Sequence, residues 1–207
     1  MVGETVRMTS RREFLQIGIA ASALPLATHA ARAAGFDALG GAAPGVPSIP
    51  LYKVVYDTRF AASVAFGHRA ASLGAAVHAI QGDMTRLWFD DIYHRWKQAP
   101  VAIAGLTAQG PIFCFERLAW DQGLRVVFRA EHGPTQHALS GPESLLVEAR
   151  DVLANADWAA EMATVVTRCP SGRAEMGASA VECARGSSLS HADEPLYSWV
   201  IAPAARA

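Results

Sequence analysis

Four short apolar runs, at residues 51–56, 75–80, 101–104 and 125–129, are separated by single stretches of helical periodicity, and this alternation constrains the fold most. Each run is partly β-branched and bounded by turn residues, the pattern of a strand buried on both faces. The intervening stretches, residues 60–73, 84–98 and 111–122, predict helices. The first carries Phe60, Val64, Ala65, Ala71 and Leu73 and stops at Gly74, a natural left-handed C-cap. The second presents Trp88, Ile92 and Trp96 at i, i+4 and i+8. The third has Pro111 in its first turn, an apolar stripe of Ile112, Phe115 and Ala119, and Gly123 as its stop.

Helix-length connections return the chain parallel to the strand it left, through right-handed crossovers. The expected fold is therefore α/β: a three-layer sandwich with a mainly parallel, doubly wound sheet of four to five strands, Rossmann-like or flavodoxin-like. Beyond the fourth run, Ser140-x-x-Glu143 predicts a capping box that opens a helix to about residue 154. Asp157 predicts a cap for another helix, to residue 167. Residues 171–193 have loop composition, and residues 196–201 read as a last strand at a sheet edge.

The chain is 51% apolar with a formal net charge of −1 and no basic block. That composition excludes a disordered chain and argues against nucleic acid or an acidic membrane surface as a partner. Of the three cysteines, Cys114 lies in a helical pattern and reads as a buried small hydrophobe. Cys169 and Cys183 flank a loop that a disulfide could close, a bridge worth about 3 kcal/mol in the chain-entropy model.

The N-terminus has a different character. Ser10-Arg11-Arg12-Glu13-Phe14-Leu15-Gln16 leads into an apolar stretch from Ile17 to Ala27, followed by the small-residue exits Thr28-His29-Ala30 and Ala31-Arg32-Ala33. This segment resembles a bacterial twin-arginine export signal, with Gln16 in place of the usual Lys. The resemblance implies a signal peptide over residues 1–33, cleaved after Ala30 or Ala33, and passage of a folded chain through the twin-arginine translocase. The apolar stretch is too short for a stable membrane anchor, which needs about twenty residues. A periplasmic location is expected. Residues 34–50, rich in Gly, Ala and Pro, read as a flexible lead-in, and residues 51–207 as one α/β domain whose C-terminal part is helical and irregular.

In an open parallel sheet the ligand crevice lies beyond the carboxyl ends of the strands. Polar residues collect there: Asp57-Thr58-Arg59, Asp83-Met84-Thr85-Arg86, Thr107, and Glu131-His132. Asp57 and Asp83 suit helix capping, but an arginine in a first helical turn opposes the dipole. Arg59 and Arg86 therefore either pair with nearby carboxylates or grip an anionic ligand, with Thr58, Thr85 and Thr107 adding hydroxyls. Asp57, Asp83, Glu131 and His132 are the candidate acid-base groups. The spacing of Glu131, His132 and His137 fits no metal motif, and no nucleotide loop, haem attachment or nucleophile elbow is present. No cofactor is evident.

Two functions are compatible with this pattern. One is an accessory or small subunit of a larger periplasmic oxidoreductase, for which Trp88, Phe89, Tyr93 and Trp96 offer more aromatic surface than one inner stripe needs. The other is a stand-alone enzyme or binding protein for a small anionic ligand at the strand ends.

Overall fold

The computed structural model describes residues 48–171, 174–183 and 194–204. The arginine pair, both cleavage sites, most of the lead-in and His191 to Asp193 lie outside the described residues. In chain order the elements are β1 (Leu51–Asp57), α1 (Ala61–Ser72), β2 (Val77–Ile80), α2 (Thr85–Leu87), a π-helical turn (Trp88–Ile92) and α3 (Tyr93–Gln98). There follow β3 (Ala102–Ala108), α4 (Gln109–Trp120), β4 (Leu124–His132), β5 (Gln136–Pro142), α5 (Glu143–Leu153), α6 (Trp158–Thr167), β6 (Met176–Glu182) and β7 (Leu196–Pro203). Gly74 and Gly123 stop α1 and α4 with φ of 85° and 73°.

The strands form one sheet in the order β2-β1-β3-β7-β4-β5-β6. Only β1 with β2 and β1 with β3 are parallel; the other four neighbouring pairs are antiparallel. The expected mainly parallel sheet of four to five strands is thus replaced by a mixed sheet of seven. The physical reason lies in two features. Strands β1 to β4 do share one direction, as their helix-length connections require, but β7 lies antiparallel between β3 and β4. After β4, Gly133 and Pro134 make a tight turn into β5, so the chain reverses without a helix.

Side chains alternate across the sheet and separate two cores. Val54, Ala104, Leu106 and Val200 face α1, α5 and α6. Val55, Ile103, Trp199 and Ile201 face α2, α3 and α4, where they meet Trp88, Ile92, Trp96, Ile112 and Phe115. Helices therefore cover both faces.

Several local expectations need correction. Residues 196–201 belong to β7, which is central and fully buried over Leu196–Ala202 rather than at an edge. Ser140 lies inside β5, and α5 starts after Pro142 without a side-chain cap, so there is no capping box. Asp157 stands at the N-cap position of α6, which ends at Thr167 as expected, but its side chain makes no capping hydrogen bond. The stretch read as a loop contains β6. Cys114 is exposed, on the outer side of α4.

The Cys169 to Cys183 bridge does not form: all three cysteines are free. Topology explains this. The Cys169 carbonyl accepts from Ile49, just before the start of β1, whereas Cys183 donates to Thr135 beside the β4–β5 turn, at the opposite end of the sheet. A strand of that length spans about 20 Å, beyond the reach of a disulfide.

At the middle of the sheet, Val55, Gly105 and Trp199 form a row across β1, β3 and β7. A Cβ on Gly105 would lie 2.6 Å from the Trp199 ring and 2.6 Å from the Val55 carbonyl. Gly105→Ala should therefore lower stability by about 2 kcal/mol or more through overpacking. Gly110, with open space where a Cβ would go, provides the contrast. Gly110→Ala in α4 should raise stability by roughly 0.5 kcal/mol. Urea unfolding of the two variants beside wild type checks both signs.

Candidate functional site at the strand ends

The chain direction reverses between β1 and β3: the path moves outward from β1 to β2, then back to β3 on its other side. This is the switch point at which α1 and α4 leave toward opposite faces of the sheet, and at which open α/β sheets place ligands. Its floor is cross-tied. The Ser63 hydroxyl in α1 accepts from the Asp57 backbone N-H at 2.7 Å and donates to the Leu106 carbonyl, joining α1, β1 and β3. Neither α1 nor α4 has a side-chain N-cap, so backbone donors of both helices open toward this end.

Asp57 is fully buried there, and it is not the cap of α1, whose N-cap residue is Phe60. Its carboxylate accepts from Arg59 Nη2 at 2.7 Å, from Arg59 Nε at 3.0 and 3.2 Å, and from the Arg59 backbone N-H at 3.1 Å. The side-chain hydrogen bond to Asp57 raises the Arg59 pKa further. The guanidinium also lies over the Phe60 ring, 5.1 Å from its centroid, and 3.9 Å from Glu194. Gly82 lets this happen, since a Cβ there would lie 2.6 Å from Arg59 Cζ. Of the two fates open to Arg59, pairing with a carboxylate is the one observed.

The remaining predicted residues divide clearly. Thr58 donates to the Ile80 carbonyl at 3.0 Å and fastens the ends of β1 and β2. Asp83 accepts from the Thr85 backbone N-H at 2.8 Å, and the side-chain hydrogen bond from Thr85 holds its carboxyl below the usual range, although the N-cap residue of α2 is Met84. Arg86 is exposed and, among the described residues, forms no ion pair. Thr107 is buried on the sheet face that carries Val55 and Trp199, accepting from Trp199 Nε1 at 3.1 Å and donating to the Ala108 carbonyl. Glu131 is exposed and hydrogen-bonded with Tyr197. The crevice residues are thus mostly occupied with one another.

His132 leads to an arrangement that sequence spacing did not reveal. It lies opposite His137 across the β4–β5 pair, with their Nδ1 atoms 3.0 Å apart, and its Nε2 is 2.7 Å from Ser198 Oγ on β7. All three residues are buried, and the Trp158 ring stacks on His132 at 4.1 Å. The Nδ1 contact requires one imidazole to donate and the other to accept, so one shared proton orders the chain Ser198, His132, His137. Among the described residues, His137 Nε2 has no hydrogen-bond partner. The signal for this pairing was Gly133-Pro134, whose turn sets two histidines directly opposite each other. Among the described residues, no group of three or more metal-ligating side chains converges.

A second polar group fastens the π-helical turn to β1. Asp91 accepts from Tyr52 Oη at 2.6 Å and from Lys53 Nζ, and Arg95 lies over the Tyr52 ring at 5.3 Å. Of the four aromatics on this helical block, Trp88 and Trp96 are core, while Phe89 and Tyr93 reach solvent.

No family model matches the chain, and no curated protein or solved structure matches it.

Burial pushes His132 well below the ordinary imidazole range, with His137 adding to the effect, and pushes His137 down to about 4. Unfolded imidazoles titrate near 6.5, so between pH 6.5 and those lower values the unfolded chain binds more protons. Stability is therefore lost as pH falls. From pH 6.5 to 5, each histidine should remove about 1.5 kcal/mol. Urea midpoints across that range check this, and a flat profile would refute the neutral, buried pair. Separately, Arg59→Ala should cost roughly 2–3 kcal/mol by stranding the buried Asp57 carboxylate. A double-mutant cycle with Asp57→Asn should recover part of that loss.

Proposed function

We propose that this chain is an exported partner-binding protein, the accessory subunit of a larger periplasmic oxidoreductase, and that it docks through the outer face of α4. The observation that carries the reading is a stripe at i, i+4 and i+7. Phe113 is 52% exposed and Trp120 44% exposed, with the exposed Arg117 guanidinium over both rings, at 5.4 and 4.3 Å. Aromatic residues and arginine are the types enriched where proteins meet. Among the described residues Arg117 forms no ion pair, so its charge remains available to a partner. Phe89, 59% exposed, adds an aromatic side chain on the helical block that covers the same face of the sheet. Export in a folded state and membership of an oxidoreductase rest on the twin-arginine resemblance.

A tagged full-length chain, purified gently from the periplasm of its native host, should bring down a larger polypeptide in stoichiometric amount. The double variant Phe113→Ala/Trp120→Ala should weaken that association at least about 30-fold, as loss of a hot spot does. Recovery of wild type with no other polypeptide would overturn the reading.

The alternative, a small anionic ligand at the strand ends, retains one specific support: Arg86, in the segment that follows β2, is exposed and among the described residues forms no ion pair. It requires that an anion raise the melting temperature of wild type and not of Arg86→Ala.

A further inference from the structure

The two edges of the sheet differ in kind. Strand β2 has four residues, too short to template much pairing. Strand β6 has seven, Met176-Gly177-Ala178-Ser179-Ala180-Val181-Glu182, and pairs with β5 over its whole length with no register break. It carries no lysine, no proline and no bulge, the devices by which exposed edges are usually blunted.

The hydrogen-bond phase of this edge follows from its ends. Glu143 N-H donates to the Glu175 carbonyl, and Cys183 N-H donates to the Thr135 carbonyl. In an antiparallel ladder, bonding residues alternate with residues whose backbone groups face away. Gly177, Ser179 and Val181 therefore bond to β5. Met176, Ala178, Ala180 and Glu182 turn their backbone N-H and C=O groups outward, where the described residues supply no strand to receive them.

We infer that this edge pairs with the β6 of a second copy of the chain, antiparallel about a twofold axis at Ser179, so that two sheets join into one. The sequence of β6 is self-complementary in that register. Ala178 meets the partner's Ala180, Gly177 meets the partner's Val181, and Met176 meets the partner's Glu182, so small side chains face one another at the centre and no carboxylate faces another. Every outward backbone group finds a mate, for about eight hydrogen bonds across the junction. Two large apolar side chains of this part of the fold are exposed. Met176 on β6 is 59% exposed, and Val147 on α5, the helix packed on β6, is 51% exposed. A twofold junction of this kind is closed, so pairing stops at the dimer.

The register makes a sharp test possible. The Ala180 N-H faces away from β5, so Ala180→Pro removes a junction donor and leaves the internal ladder intact. Light scattering coupled to size exclusion should show wild type as a dimer and Ala180→Pro as a monomer with unchanged circular dichroism. Ala178→Lys, which adds a gatekeeper charge without touching the backbone, should act in the same direction. Ser179 and the partner's Ser179 form a non-hydrogen-bonded pair, the closest kind. Ser179→Cys should therefore give a disulfide-linked dimer on mild oxidation, at a yield well above that of wild type with its three native thiols. A monomeric wild type would overturn the inference, as would a dimer that survives both Ala180→Pro and Ala178→Lys.

Discussion

Strand β7 enters the sheet antiparallel between β3 and β4, and every other part of the architecture depends on that insertion. Among the described residues it supplies the only strand contact between the parallel part of the sheet, β2-β1-β3, and the antiparallel part, β4-β5-β6. Its residues alternate into both cores: Leu196, Ser198 and Val200 toward α1, α5 and α6, and Tyr197, Trp199 and Ile201 toward α2, α3 and α4. Two buried polar contacts also end on it, Ser198 to His132 and Trp199 to Thr107. Because β7 comes last among the strands, neither core is complete until it docks. Long-range pairing of this kind is slow to form.

The same insertion explains what could be read in the sequence and what could not. Hydrophobic periodicity located β1 to β4, the helical stretches from α1 to α4 and even the apolar run of β7, because each satisfies its own local pattern. Strand order is not a local property. Nothing in residues 196–201 says whether they cover an edge or split two strands apart, although an almost continuous apolar run was a hint of burial on both faces. Strands β5 and β6 escaped notice for another reason. They alternate small and polar residues, Ala138, Ser140, Ala178 and Ala180 among them, and so lack the β-branched signature that marked the others.

The candidate site shows a parallel division. The crevice position followed from chain direction, which the helix-length connections fix. The state of its residues did not. Arg59 had two possible fates, and the close approach permitted by Gly82 joins it to the buried Asp57 instead of leaving it free. His132 and His137 face each other through a turn whose residues were visible, yet their union with Ser198 required β7 to be central. Asp57, Thr58, Asp83 and Thr107 thus serve the fold, whereas Arg86, Phe89, Phe113, Arg117 and Trp120 remain exposed.

Amide hydrogen exchange on the full-length chain tests the central position of β7 most directly. Amides of Val200 and Ile201 should exchange as slowly as those of Ile103 and Ala104 in β3, and far more slowly than those of the short edge strand β2. Exchange of β7 at the rate of β2, while β3 stays protected, would contradict the account.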